Sequence, residues 1–404
     1  MAAPLPDRLE SDAMSEPQTA YSTRWISDIS RIDKAEWDRL ALAAETPFLE
    51  WDWLRLLETT GCAAPETGWT PHHLTLWRRN RLAAAAPLYI KSHSEGEFIF
   101  DIPWAEVAHR IGVSYYPKLV GMTPFTPVPG YRFLIAPDLN RDRITGLMLN
   151  EIERQCRQSH LSGVHFLFAD PAWAREALPH GLTPWIHGGF AWHNHGYGDF
   201  DDFLAIFKSG LRNNFRGERG SLGRVGIGLG ALSGDEIPRD YFTRMYRFYS
   251  HTNQKFGPWG CHYLNGAFFE SLHAHFRRRL VFMAACSEES PDAPIGMSFL
   301  ATKGDRLYGR YWGSMENRHA LHFDTCYYAP IEWAIRNGIS RFDPGIGGGH
   351  KVRRGFEAVP AFSLHRFMDP RLRGIMEHYM TDINREETAH IEAINASLPL
   401  AQEN

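Results

Sequence analysis

The stretch that decides the fold spans residues 280–313 and reads LVFMAACSEESPDAPIGMSFLATKGDRLYGRYWG. Within it, three apolar runs have the length and composition of β-strands: 280–285, 293–302 and 306–313. Gly304 and Asp305 separate the last two runs and favour a tight turn. Because connections this short join antiparallel neighbours, the stretch predicts three successive antiparallel strands.

Helices are predicted on both sides of these strands. Residues 323–337 place Ile331, Trp333 and Ala334 on the inner side of a helix, and residues 339–342 follow as a short strand. Upstream, three further segments have helical periodicity: 200–211, 241–250 and 266–276. Helices, three antiparallel strands, a helix and a last strand form the order of an acyltransferase domain of the GNAT type. We therefore expect this fold by analogy.

The first half of the chain has the same order of elements. Helices are predicted at 33–44 and 49–59, and a turn at 78–81 joins strands 73–77 and 82–90 as a hairpin. Further elements follow: strands 98–100, 131–135 and 164–168, helices 104–111 and 142–159, and, at the end of the chain, a helix at 371–397.

Two such halves predict an α/β (α+β) protein with two tandem GNAT-like domains, each a mixed, mostly antiparallel sheet flanked by helices. The expected boundaries are a disordered tail at 1–22, domains at 23–185 and 186–385, and a C-terminal helix end and tail at 386–404. A chain of 404 residues, of which 44% are hydrophobic, is long and apolar enough to fill the cores of these domains.

Charge and cysteine content restrict the environment of the protein. The formal net charge of −4 does not favour nucleic acid binding by the whole surface, although two basic segments, 208–224 and 277–279, could be local patches or solvated helix faces. The five cysteines include no CxxC pair, which fits neither a disulfide framework nor a zinc ribbon. The first twenty residues lack the apolar region of a secretory signal, and no apolar run is long enough to span a membrane. We expect a cytoplasmic protein.

A second informative stretch, GISRFDPGIGGGHKVRRGF at 338–356, leads from a strand into a glycine-rich loop and then into positive charge. Glycines at φ > 0 let backbone N–H groups converge on an anion, and basic side chains add charge: Gly345, Gly347, Gly348, Gly349, Lys351, Arg353 and Arg354. The stretch predicts a site for a phosphate-bearing group. The alternative is a surface turn with solvated arginines, since the spacing matches neither a P-loop nor a dinucleotide fingerprint.

Six segments carry a more specific signal, and they occur in the same order as in a known family. They are PLYIKSHSEGEFIFD at 87–101, YYPKL at 115–119, PFTPV at 124–128, LYGRYWG at 307–313, LHFDTCYY at 321–328 and HKVRRGF at 350–356. In these segments the chain resembles the FemAB-like predicted N-acyltransferases, a cytoplasmic branch of the double-GNAT superfamily. The resemblance covers residues 45–380.

This resemblance implies that an acyl or aminoacyl group passes from a thioester or ester donor to an amine. It implies acyl-CoA, another carrier thioester or aminoacyl-tRNA as co-substrate, no tightly bound cofactor, and a small-molecule or peptide amine as acceptor. The glycine loop with His350, Lys351 and Arg354 would hold the phosphate of the donor. A tRNA would bind a local basic patch in LRNNFRGER, with these side chains: Arg212, Arg216 and Arg219.

The chain departs from the family pattern inside the glycine loop. The family usually has an acidic and a Gln side chain there, at positions that Gly349 and Gly347 occupy in this chain. These replacements favour an alternative function, a non-catalytic GNAT-like module that binds an amine or peptide ligand. An enzyme of another acyl chemistry, such as a thioesterase, is a further alternative.

Direct acyl transfer needs a base for the attacking amine, a dipole that polarises the carbonyl, and a proton donor for the leaving group. His322, Asp324 and Tyr327 in LHFDTCYY are the catalytic candidates of the second half. Asp324 could instead be the N-cap of the following helix, and Tyr327 could be an ordinary buried tyrosine.

A polar run in the first half, KSHSEGEF at 91–98, interrupts an apolar strand. His93 and Glu97 are predicted to converge there, either as a base with its orienting carboxylate or as an acceptor-binding pair. A polar loop at the end of the sheet is the alternative. Four residues are predicted to bind the acceptor: Lys91, Lys118, Arg310 and Trp312. No metal site is expected, because the pairs His72-His73 and His193–His195 lack a third ligand.

Overall fold

The computed structural model describes residues 21–257 and 260–401. Most of the predicted disordered tail at 1–22 therefore lies outside the described residues. Its last two positions belong to a strand, β1 (Tyr21–Ile26), which pairs antiparallel with residues 73–78. Residues 21 and 22 are thus part of the fold.

The first half of the chain alternates strands and helices. Its further strands are β2 (Trp69–Pro71), β3 (His73–Arg78), β4 (Arg81–Ala86), β5 (Tyr89–Lys91), β6 (Lys118–Gly121), β7 (Leu134–Ile135), β8 (Gly163–Ala169) and β9 (Thr183–His193). Its helices are α1 (Lys34–Ala41), α2 (Trp51–Thr59), α3 (Ile102–Arg110), α4 (Arg141–Gln158) and α5 (Pro171–Ala177). The hairpin prediction is confirmed for β3 and β4.

Three strand predictions in this half are wrong in detail. Of the predicted strand 131–135, only Leu134–Ile135 forms a strand, and Tyr131 makes an isolated bridge. The run 82–90 is two strands, since β4 ends at Ala86 and Pro87 has no N–H to continue the ladder. Residues 98–100 form no strand. Phe98 has φ +57, which lies outside the β region, and Phe100 is 81% exposed.

The second half contains the segment from which the fold was predicted. Its strands are β10 (Ile227–Ser233), β11 (Leu280–Ser287), β12 (Ser290–Lys303), β13 (Arg306–Ser314), β14 (Arg341–Asp343) and β15 (Glu357–Phe367). Its helices are α6 (Phe200–Ala205), α7 (Ser209–Gly223), α8 (Arg239–Gln254), α9 (Gly266–His275), α10 (Leu321–Phe323), α11 (Ala329–Arg336) and α12 (Pro370–Ala396). The three antiparallel strands predicted at 280–313 are confirmed as β11, β12 and β13.

Both halves contribute to one large mixed sheet. The strand order is β10-β11-β12-β13-β14-β9-β15-β8-β6-β5-β2, with parallel pairs only at β13/β14 and β6/β8 among the described residues. Strand β9, which extends from the end of the first half into the second, pairs with β14 and β15, and β15 of the second half also pairs with β8 of the first. The second half thus supplies a strand, β15, to the sheet of the first half. The boundary predicted at 185/186 falls inside β9.

The fold also contains a smaller sheet and an apolar core that both halves share. The smaller sheet has the order β1-β3-β4-β7. The largest buried apolar cluster contains side chains from both halves; Trp53 of α2, for example, packs edge-on against Phe268 of α9, with ring centroids 5.2 Å apart. Helix α12 covers β9 and β15, where Asn384 hydrogen-bonds the backbone at Ile186 and Pro184. Within the described residues, none of the helices combines the length and apolar character needed to cross a bilayer.

Candidate functional site

The parallel strands β13 and β14 separate after three residue pairs. They are in register from Arg306/Arg341 to Tyr308/Asp343, after which β13 continues to Ser314 while the chain beyond Asp343 turns away. On its other side, β13 has a bulge, because Phe299 pairs with Tyr311 and Leu300 with Gly309, leaving Arg310 without a partner. The sheet therefore opens beside Arg310, and one edge of β13 is unpaired there.

A pocket of about 100 Å³ lies in this opening. Four of the predicted site residues meet in its wall: Arg310, Trp312, His322 and Tyr327. The remaining lining is mainly apolar: Ser298, Phe299, Leu300, Gly309, Tyr311, Cys326 and Pro344. Residues predicted separately for catalysis and for acceptor binding thus share one small cavity.

The helix beside the pocket has an irregular first part. It begins at α10 after Ala320, which has φ +63, and residues Asp324–Tyr328 form a π-helical turn that leads into α11. Such turns are rare and often occur at functional sites. Asp324 lies inside the helical segment, so its alternative interpretation as an N-cap is wrong.

His322 and Tyr327 both lie on this segment and face the pocket. The His322 ring packs on Trp312, with ring centroids 4.7 Å apart, and burial lowers the pKa of His322 to about 4. The imidazole is therefore neutral at pH 7. The Tyr327 hydroxyl is 2.9 Å from Nε2 of His350, and burial raises the pKa of Tyr327. His350, predicted to bind the donor, thus contacts a predicted catalytic residue.

Asp324 points elsewhere and does not line the pocket. Its carboxylate is 3.2 Å from Nε of Arg219, and burial raises the pKa of Asp324 to about 6. Arg219 also contacts Glu332 at 2.6 Å. This ion network fixes α7 against the helix beside the pocket, a role that the sequence analysis missed for Arg219 and Glu332.

The basic patch predicted at 211–219 is largely neutralised by contacts within the protein. Arg216 pairs with Asp201 at 2.9 Å, and Arg212 donates to the carbonyls of Ala205 and Phe207. With Arg219 in the network above, all three arginines predicted to contact tRNA have partners. Sequence spacing could not indicate this, because the partners come from other elements or from the backbone.

The glycine loop differs from the predicted N–H cradle. Gly345, Gly347 and Gly348 have φ of +83, +75 and +86, as expected. Lys351, however, is 3% exposed, and its Nζ donates to the carbonyls of Gly345 and Ile346 at 2.7 and 3.2 Å. Burial lowers the pKa of Lys351 to about 8. The lysine therefore holds the loop through its carbonyl groups.

Other groups of this segment also have partners. Asp343 accepts a hydrogen bond from the N–H of Gly345 at 2.8 Å, which the sequence analysis did not foresee. Gly349 begins a 3-10 helix (Gly349–Arg354). The guanidinium of Arg354 lies 3.6 Å from the ring centre of Phe323 and 3.2 Å from a carboxylate oxygen of Glu218.

The polar residues of the first half form a separate buried cluster. Nζ of Lys118 donates to Glu97 at 2.7 Å and to Asp101 at 2.5 Å, and Lys118 is 1% exposed. The partner of Glu97 is therefore Lys118, whereas Nδ1 of His93 accepts from the backbone at Glu95. His93 and Glu97 therefore do not form the predicted pair. Glu97 forms an ion pair with Lys118 instead.

Lys91 lies beside this cluster, and a short segment connects it to the pocket. Nζ of Lys91 is 3.8 Å from the ring centre of Trp69, and burial lowers its pKa to about 7. The Trp69 ring packs on Phe125, whose carbonyl accepts from Arg310 at 3.3 Å and from the Tyr311 hydroxyl at 3.2 Å. Phe125 has φ +58, an unusual conformation for an aromatic residue.

No metal site emerges from the remaining histidines. His193 and His195 both contact Glu357, at 3.4 and 3.2 Å. Across residues 21–257 and 260–401, however, no three His, Cys, Asp or Glu side chains are arranged to hold a metal ion.

The large mixed sheet, with parallel pairs at β13/β14 and β6/β8 and helices on its faces, is a mixed α/β fold of the tandem GNAT type. The sequence model of the FemAB-like family, a family of peptidoglycan biosynthesis/recognition, matches residues 28–402. The chain therefore belongs to the FemAB-like family.

Solved structures resemble the fold at low sequence identity. FemX has a TM-score of 0.54 and 11% identity, covering 86% of this chain and 98% of its own. The C-terminal domain of a protein described as a lysylphosphatidylglycerol synthetase from Agrobacterium fabrum has a TM-score of 0.51 and 9% identity, covering 92% and 97%. A tandem GNAT protein from the clavulanic acid biosynthesis pathway has a TM-score of 0.44 and 14% identity, covering 87% and 99%. No curated protein matches the sequence.

Proposed function

We propose that the protein is an N-acyltransferase or aminoacyltransferase that moves an acyl group from a thioester or an aminoacyl ester to an amine. The observation that carries the proposal is the pocket where β13 and β14 separate, with His322 and Tyr327 in its wall. Membership of the FemAB-like family supports the class of reaction.

The second half is the better candidate for holding the acyl group. In the first half, the corresponding parallel pair β6/β8 is filled by side chains: a Cβ atom on Gly121 would lie 2.5 Å from the Tyr131 ring and 2.6 Å from Phe166. The open pocket has a volume of about 100 Å³, which accommodates a small acyl group.

The lining provides groups for each part of the reaction. The amine nitrogen attacks the carbonyl carbon, so that a C–N bond forms while the C–S or C–O bond to the donor breaks. Neutral His322 accepts the proton that the amine loses, and the Tyr327 hydroxyl gives a proton to the departing sulfur or oxygen. His350, 2.9 Å from that hydroxyl, returns a proton to Tyr327 from solvent. The unpaired edge of β13 supplies backbone dipoles to polarise the carbonyl.

Product formation tests this proposal directly. The protein would be incubated with a pool of amines and either acyl-CoA mixtures or aminoacyl-tRNA, and amide products would be detected by mass spectrometry. We expect product with one donor class, and a rate lowered about 10²–10⁴-fold by Tyr327→Phe, which removes the proton donor. Tyr379→Phe is the matched control, because Tyr379 is 55% exposed and lies outside the pocket. Absence of product with every donor would contradict the proposal.

A non-catalytic binding module is the second candidate, and the glycine loop favours it. Gly347 and Gly349 provide no side chains, and Lys351 is engaged with the loop carbonyls. In that case the wild-type protein would bind an amine or peptide without product. His322→Gln and Tyr327→Phe would then leave both ligand affinity and function in cells unchanged.

A further inference from the structure

A second concavity, the α7 groove, lies beyond the wall of the pocket. Its volume is about 540 Å³, and it runs between α7 and the residues around Arg353. Its lining is rich in hydrogen-bonding and basic side chains: Leu211, Asn213, Asn214, Phe215, Gly217, Glu218, Ser221, Arg224, His319, Arg353 and Arg354. The reaction steps proposed above do not use this groove, although its lining includes Arg354 and part of the basic segment predicted to contact the donor.

The charges of the α7 groove are poised for an anion. Arg224 and Arg353 have no carboxylate within ion-pair distance among the described residues, unlike Arg216 and Arg219 of α7. Unpaired guanidinium groups in a concave surface attract phosphate groups and bind them with paired N–H donors.

The single acidic residue of the lining is already neutralised. The Glu218 carboxylate accepts from the Tyr328 hydroxyl at 2.5 Å and contacts Arg354 at 3.2 Å. Arg354 is 6% exposed, and its Nε is buried without a hydrogen-bond partner. The groove therefore has a net positive charge and one buried donor that no protein group satisfies.

The groove and the pocket share a wall. The guanidinium of Arg354, in the groove, lies 3.6 Å from the ring centre of Phe323. The ring centres of Phe323 and His350 are 5.7 Å apart. His350 in turn contacts Tyr327 of the pocket. The groove and the pocket are therefore neighbours, separated by the side chains of Phe323 and His350.

From this juxtaposition we infer that the α7 groove binds the phosphate groups of the donor while its acyl group occupies the pocket. The inference rests on the proposed function, because it treats both ligands as ends of one donor. It places the phosphates on Arg224, Arg353 and Arg354, and not on Lys351 in the glycine loop. Phosphodiesters of an RNA and the pyrophosphate of a coenzyme share this chemistry.

Binding measurements with two groove variants test the inference. The probes are coenzyme A and a short single-stranded RNA, each titrated by calorimetry or fluorescence anisotropy over a range of salt concentrations. Arg224→Gln/Arg353→Gln should weaken one of them at least tenfold. For RNA, the slope of log K against log salt should fall by about 1.4, because two phosphate contacts to a single strand are lost.

A second variant leaves the arginines in place. A Cβ on Gly217 would have no atom within 4 Å, so Gly217→Asp adds a negative charge to the groove without a clash. It should weaken the same probe, whereas Gly217→Ala should not. Arg110→Gln, at an exposed arginine of α3, is the control for charge removal elsewhere.

The outcomes separate the two sources and the two proposals. Weakened RNA binding identifies a phosphodiester backbone, and weakened coenzyme binding identifies a pyrophosphate. If neither probe binds the wild type, or if both groove variants bind as the wild type does, the inference is overturned. If the groove variants form product at the wild-type rate and donor concentration while Tyr327→Phe does not, the inference fails and the proposed function stands.

Discussion

Adjacent glycines of one loop have different structural requirements. Gly348 has φ +86, and a Cβ atom there would lie 2.5 Å from Cε1 of His350. Gly349 has ordinary backbone geometry, and its Cβ would have no atom within 4 Å. Only Gly348 is therefore required by the backbone and by the position of the His350 ring.

The two glycines provide a matched pair of variants. Gly348→Ala should lower the free energy of unfolding by about 1–2 kcal/mol, because an L-residue is strained at this φ, and should displace His350 from Tyr327. Gly349→Ala should change stability by less than about 0.5 kcal/mol in either direction. Urea denaturation measures the change in stability of both variants, and the rate of product formation measures the displacement of His350 from Tyr327. Equal losses at both positions would contradict this assignment.

The burial of Lys91 predicts that the stability of the protein depends on pH. Its pKa is lowered to about 7 by burial, from 10.5 in the unfolded chain, so the unfolded state binds more protons between these values. Stability should rise with pH from about 7 to 10, by up to ~4 kcal/mol from this residue.

The variant Lys91→Met tests that contribution. It should be more stable than the wild type at pH 7 and should lose part of the rise, as measured by denaturation at each pH. Lys255→Met, at an exposed lysine, should follow the wild-type profile. A Lys91→Met profile that parallels the wild type would show that the lysine remains charged when buried.

At this scale the sequence predicted the residue types of the pocket but not their partners. Arg310 and Trp312 in the strand segment LYGRYWG, and His322 and Tyr327 in LHFDTCYY, were predicted from their side-chain chemistry, and all four line one cavity. Lys351 was assigned to a phosphate. Its actual hydrogen-bond acceptors are backbone carbonyls, and sequence spacing does not reveal such partners.

At the level of elements, the pairing of β8 with β15 includes a buried histidine pair. Nδ1 of His165 and Nδ1 of His365 are 2.8 Å apart, and burial lowers the pKa of both. The surrounding groups are aromatic rings, His187 beside His365, and the cation of Lys118, and the last two also disfavour protonation. Both imidazoles are therefore neutral in the folded protein.

This pair should make the β8–β15 contact sensitive to acid. Because the unfolded histidines take up protons near pH 6.5 and the folded ones do not, stability should fall as the pH drops below about 6.5, by up to ~1.4 kcal/mol per pH unit for each histidine. The double variant His165→Leu/His365→Leu should lose less stability between pH 7 and 5 than the wild type, as judged from urea midpoints. An identical pH dependence would contradict the neutral pair.

The sequence predicted the local elements better than the distant ones. Strands β11, β12 and β13 follow one another with short turns, so periodicity and turn residues were sufficient. Strands β9 and β15 were missed because they contain Gly188, Gly189 and Pro360, which lower β-propensity. Their pairing partners lie in the opposite half of the chain, and no local pattern records such contacts.

At the scale of the whole molecule, the two halves form one structural unit. The sheet is continuous through β9 and β15, and the largest apolar cluster draws on both halves. The repeated order of elements was visible in the sequence. The pairing of β15 with β8 was not, because strand order depends on contacts between distant segments.

Separate expression of the halves tests this unity. Fragments 1–185 and 186–404 should each be unfolded or insoluble, because each lacks a neighbour for an inner strand and part of the core. The full chain should unfold in a single transition when followed by both circular dichroism and tryptophan fluorescence. Soluble, cooperatively folding fragments would contradict the prediction and support independent domains at the boundary of 185.

The position of β15 between β8 and β9 also has a consequence for how such a gene can change. Recombination can replace one copy of a duplicated module and leave the other intact when the two copies share few contacts. Here a crossover that replaces either half must preserve the contacts of β15 with both β8 and β9.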